Sequence, residues 1–148
     1  MRARDLAQSA PVVASSDAAT DALRVLSTAG LPGLVVETPD GFVVVPASQV
    51  LRGTLPRYVL DDTSLARVWD EASADELVHR LTSATAADLV AALDRHRDEP
   101  EHVVDADATV VEIAAVMSAA RLPLVAVVED GAYVGVVTVN RLVQALLG

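Results

Sequence analysis

A chain of 148 residues with 21 acidic side chains against 11 basic ones, all of them Arg, has a formal charge of −10, and 52% of its residues are apolar. That is one domain's worth of material with enough apolar side chains for a core, and its net charge repels nucleic acid over the surface as a whole. The absence of Cys and Lys excludes disulfides, thiolate nucleophiles, P-loop lysines and Schiff-base chemistry.

Along the chain, Pro11-Val12-Val13 is a short apolar segment. Ala19, Ala22, Leu23 and Leu26 then recur at i, i+3, i+4 and i+7, which predicts a helix with one apolar stripe. Asp17 is its expected cap. After Leu31-Pro32, residues 34–37 read as a strand, Pro39-Asp40-Gly41 as a tight turn in which glycine takes a positive φ, and 42–45 as a second strand. A final helix is expected from Ser48, carrying Val50 and Leu51.

The stretch that follows has helical signals of its own. Leu65, Val68, Trp69 and Ala72 make a stripe behind a cap at Asp62 or Thr63, with Trp69 as its core anchor. Ser73-Ala74-Asp75-Glu76 and Thr85-Ala86-Ala87-Asp88 read as capping boxes ahead of Leu77, Val78 and Leu81 and of Leu89 and Leu93. The segment 95–102 reads as a charged, solvated turn.

The opening pattern then returns. His102-Val103-Val104 corresponds to Pro11-Val12-Val13, and Val110, Ile113, Ala114 and Met117 to the first helix stripe, here behind a Thr109…Glu112 capping box. Leu122-Pro123-Leu124-Val125-Ala126-Val127 repeats Leu31-Pro32-Gly33-Leu34-Val35-Val36. The hairpin turn is Asp130-Gly131, the next strand covers 132–137, and the last helix begins near Asn140 with Leu142, Val143, Leu146 and Leu147. A repeat of this kind decides architecture. The expected fold is α/β (α+β): two βαββα repeats, 1–53 and 85–148, packed about a pseudo-twofold axis, with a helical connector over 54–84 that packs on the pair. The continuous Val runs predict strands covered on both faces. Neither repeat is large enough to shield its own sheet, so function is expected in clefts between them.

This order of marks resembles a pair of CBS domains, named after cystathionine β-synthase and often called a Bateman module. It includes the stretch Gly131-Ala132-Tyr133-Val134-Gly135-Val136-Val137-Thr138. The resemblance implies a regulatory module without catalysis that forms a homodimer, requires no cofactor and binds a ligand such as AMP, ADP, ATP or S-adenosylmethionine. It places the ligand site at Val12, Val103, Pro123, Thr138 and Arg141. The family's ribose clamp is a Thr followed three residues later by an Asp. Thr138 is present here, but Arg141 stands in place of the Asp, and Pro46 and Gln49 occupy the matching positions of the first repeat. Arginine accepts no hydrogen bond, so the resemblance leaves a phosphate held by Arg141 and the Thr138 hydroxyl as the alternative chemistry. A degenerate pair acting only in dimerisation or interaction is the second expectation.

Other tempting features have plainer readings. His96-Arg97-Asp98 lacks every companion of the kinase signature it spells. His79, His96 and His102 have no metal-ligand spacing. Asp61-Asp62 sits where the positive end of a helix favours acids. No apolar run reaches the ~18–20 residues of a membrane span, and Met1-Arg2-Ala3-Arg4-Asp5 leads into no signal-peptide core. The expectation is a cytoplasmic protein with no direct membrane insertion and no nucleic-acid partner, acting on a partner protein such as a transporter or an enzyme.

Overall fold

The computed structural model describes residues 1–52, 55, 57–68 and 71–148. In chain order the regular elements are α1 (Ala3–Leu6), β1 (Val12–Ala14), α2 (Ala19–Ala29), β2 (Gly33–Thr38) and β3 (Gly41–Pro46), then α3 (Arg57–Asp61), α4 (Glu71–Ser83) and α5 (Ala86–Ala91). The second half adds β4 (Val103–Asp105), α6 (Val110–Ala120), β5 (Leu124–Glu129), β6 (Ala132–Thr138) and α7 (Val139–Leu147). The strands form two three-stranded sheets, β1-β2-β3 and β4-β5-β6, each with a parallel first pair and an antiparallel hairpin.

The hairpins follow from their turn residues: Gly41 and Gly131 have φ of 124° and 79°, and Asp130 joins its glycine at 50°. The ladders also fix how the halves correspond. Gly33 faces Pro46 as Leu124 faces Thr138, and Val36 faces Val43 as Val127 faces Gly135. A register shift beside Val127 and Val128 gives β6 one extra residue, the mark of a β-bulge.

The central strands are buried on both faces. Val35 and Val44 join a core with Leu124, Val127, Val136 and Ile113 of the second half, while Leu34, Val36 and Val45 pack with Ala19, Ala22 and Leu89 on the other face. The predicted two-sided burial of the Val runs is met in this way.

The segment leading into each sheet docks on the opposite half. The N–H groups of Ala3 and Arg4 donate to the carbonyls of Ala108 and Ala106, and those of Ala86 and Ala87 donate to Asp17 and Ser15. The second pair of bonds is the first with the two halves exchanged, as a pseudo-twofold arrangement requires. Leu6, on α1, is 1% exposed in the second core, and Leu89, on α5, is 1% exposed in the first.

Several local expectations are corrected. After β3 the first repeat has a 3-10 turn, Ala47–Gln49, in place of a helix from Ser48. The preceding Pro46 has no side-chain acceptor, whereas Thr138 Oγ1 accepts from the Arg141 N–H and starts α7. Asp17 does not cap α2. Its carboxylate accepts from the Ala14 N–H at 3.0 Å and closes the turn ahead of the helix. In the connector α4 begins at Glu71, so Ser73 lies inside it. Residues 63–68 form a 3-10 helix whose Leu65 and Val68 face solvent, 39% and 79% exposed. Asp62 does hold its start, accepting from the Ser64 N–H and hydroxyl. Trp69 lies outside the described residues. Thr109 and Glu112 form the expected capping box, and at Thr85 the Asp88 carboxylate accepts from the Thr85 N–H at 2.8 Å.

Candidate functional site

Both Leu-Pro corners are built alike. The helix before each stops in a left-handed residue, Gly30 in one copy and Arg121 in the other. The proline carbonyl then ties down the element after the third strand: Ala47 donates to Pro32 at 2.9 Å and Val139 to Pro123 at 3.0 Å.

The two corners share a cleft of about 540 Å³, lined by Gln8, Gly30, Leu31, Pro32, Pro123, Thr138, Val139, Asn140 and Val143. Its wall is apolar with three uncharged polar groups, a pattern suited to a small organic ligand. Thr138 is 8% exposed, and its oxygen is taken by the Arg141 N–H at 3.2 Å. A hydroxyl has a second lone pair and a proton besides, so the group can still accept or donate at the cleft.

Of the five residues expected at a ligand site, Pro123 and Thr138 meet here. Arg141 is exposed on the first turn of α7, outside the residues lining the cleft. Among the described residues its guanidinium has no partner. Val103 lines a different cleft, and Val12 packs against the second core. Pro32, Gln8 and Asn140 were not among the expected residues. Pro32 was legible as the twin of Pro123, whereas Gln8 arrives only because its segment crosses to the other half.

On the hairpin side a cleft of about 370 Å³ lies between the halves, lined by Thr38, Asp40, Phe42, Arg95, Glu101, His102, Val103 and Val128 among others. The rings of Phe42 and Tyr133 lie 5.5 Å apart and tilted, and the Tyr133 hydroxyl donates to the Ala10 carbonyl. Burial raises the Tyr133 pKa.

The end of the 95–102 segment is not a solvated turn. His102 is 3% exposed, and the Glu99 side chain beside it is 5% exposed. Glu99 accepts from Arg95 Nε at 3.1 Å and lies 3.1 Å from His102 Nε2. Burial alone would push the Glu99 carboxyl up, but the hydrogen bonds from His102 and Arg95 hold it below the ordinary carboxylate range. Burial lowers the His102 pKa against the opposing pull of Glu99. The segment is not helical, so the spacing of Arg95, Glu99 and His102 carried no sequence signal for this cluster.

Among the described residues no group of three His, Cys, Asp or Glu is placed to hold a metal ion, and no helix is long and apolar enough to cross a membrane.

A family model of the CBS domain matches residues 90–148. The chain is similar over its whole length to a CBS-domain-containing protein of Kribbella flavida DSM 17836, with 39% identity, 99% of that chain covered and a TM-score of 0.77. It also has the fold of the CBS-pair protein CBSX2 from Arabidopsis thaliana, at 20% identity, TM-score 0.69 and coverage of 99% and 94% of the two chains. A structure of CBSX2 in complex with AMP gives 22% identity, TM-score 0.61 and coverage of 99% and 96%. No curated protein matches the chain.

Proposed function

The chain belongs to the CBS-domain family, and we propose that it is a non-catalytic regulatory CBS pair that holds an adenine nucleotide or related small ligand between its Leu-Pro corners and controls a partner protein. The observation that carries this reading is the 540 Å³ cleft, where Thr138 presents a buried hydroxyl beside Pro123 and Pro32. The AMP complex of CBSX2 supports it by analogy of fold. Arg141, charged and without a partner among the described residues, lies one turn along α7 from Thr138 and is the group proposed to meet a phosphate at the cleft's rim. The partner, a transporter or an enzyme, and a cytoplasmic setting belong to the same proposal.

The test is a thermal-shift comparison of AMP, ADP, ATP and S-adenosylmethionine. A ligand at about a hundredfold over its Kd adds roughly 2.7 kcal/mol and raises the Tm by about 8 °C for a chain of this size. Arg141→Ala is expected to reduce the shift with phosphorylated ligands. A flat response at millimolar concentrations of all four contradicts ligand sensing.

One observation favours a second reading, a pair that works through dimerisation alone. On α7, Val139, Val143, Leu146 and Leu147 are 45%, 43%, 62% and 83% exposed, an apolar face of the kind that marks an interface. A second copy of the chain is its proposed occupant. Analytical ultracentrifugation should show a dimer that Leu146→Glu converts to monomer. A wild-type chain that stays monomeric at tens of micromolar removes this reading.

A further inference from the structure

His102 bridges the two sheets. Its carbonyl accepts from the Ala126 N–H of β5 at 3.0 Å, while its Nδ1 accepts from the Val44 N–H of β3 at 2.9 Å. An imidazole nitrogen accepts only when unprotonated. The geometry therefore sets a neutral ring with its proton on Nε2, directed at the Glu99 carboxylate.

We propose that His102 is a proton-sensitive latch: neutral, it fastens β3 of the first half to the opening strand of the second, and a proton on Nδ1 undoes that fastening beside the hairpin-side cleft. The added N–H would point at the Val44 N–H, two donors head to head. Glu99 and Arg95, on the segment before β4, stay beside the other side of the ring, so the cation keeps one partner while losing its hold on β3. Glu101 and Asp40 line the same cleft, the second from the β2–β3 turn. Both are acids whose charge favours a protonated ring, whereas the Arg95 guanidinium opposes one. The part of the cleft wall formed by Val103, Val128 and Gly131 offers no titratable group. Burial delays protonation to below the ordinary histidine midpoint of about 6.5, so the latch is closed at neutral pH and opens on acidification.

The experiment follows the three imidazoles of the full-length, 15N-histidine-labelled chain by NMR, together with amide hydrogen exchange from neutral to acid pH. At pH ~7 His102 should show an unprotonated Nδ1 and a proton on Nε2. As the pH falls toward its midpoint the exchange of the Val44 amide, corrected for its intrinsic rate, should rise about tenfold per pH unit and then level off below it. The Val36 and Val127 amides in the central strands should keep their protection. His102→Asn, whose side-chain oxygen keeps the acceptor without titrating, should abolish the pH dependence. If that variant does not fold, the wild-type titration still decides. The latch is refuted if Val44 stays protected through the titration of His102, if all three amides lose protection together, or if His102 stays neutral until the chain unfolds.

Discussion

Replacing Gly135 by Ala is expected to destabilise the protein by about 3 kcal/mol, and replacing it by Val by at least as much. A Cβ at this position would collide with the carbonyl oxygen of Gln8 and stand 3.1 Å from its carbon. The obstacle is backbone, which cannot rotate out of the way as a flexible side chain can. Gln8 and Val136 exchange two hydrogen bonds at the same place, of 2.8 and 2.9 Å, and the shift that relieves the clash breaks both. Each bond contributes about 1 kcal/mol net, and the displaced segment adds strain. Against a total stability of about 5–15 kcal/mol this is a large loss. The strand itself accepts a larger residue, because Val43 occupies the equivalent register in the first sheet. There the strand edge is met by the His102 imidazole in place of a chain segment. Urea denaturation measures the effect. A Gly135→Ala protein within about 0.5 kcal/mol of wild type would falsify the claim that the Gln8 segment is held against β6.

The repeat made most of this architecture readable from residues. The Val runs, the Asp130-Gly131 turn and the Thr109 capping box each carry a side-chain reason for their conformation, and each is found where that reason puts it. The exchange of leading segments was not readable, because main-chain groups of Ala3, Arg4, Ala86 and Ala87 carry it and every residue type supplies those. α1 is four residues long, too short for periodicity to register. The 3-10 turn after Pro46 was legible in principle, since a proline in the cap position offers no acceptor. At the candidate site Pro123 stands in the repeated pattern and Thr138 in the family's clamp position, and the two meet in one cleft. Asn140 and Gln8 have no such marker, and Gln8 is placed by an element from outside the half it serves. His102 shows the converse error: a charged neighbourhood in sequence suggested solvent, yet the charges pair with one another and bury it.

The second large effect concerns the halves themselves. Separated between residues 83 and 84, neither fragment should fold alone. Fragment 84–148 would lose Ala3 and Leu6 from its core, together with Val35 and Val44 of the facing sheet, and fragment 1–83 would lose Ala86 and Leu89. Burial of each large side chain contributes about 1.5–3 kcal/mol. The two leucines and two valines together therefore outweigh the margin available to chains this short. Equimolar mixing should restore every one of these contacts. The decisive measurement is the amide NMR spectrum and thermal melt of each fragment alone and of the mixture. Collapsed spectra and no cooperative melt for the fragments, with the native spectrum recovered on mixing, is the predicted result. A dispersed spectrum and a cooperative melt from either fragment by itself would contradict an architecture in which each half completes the other's core.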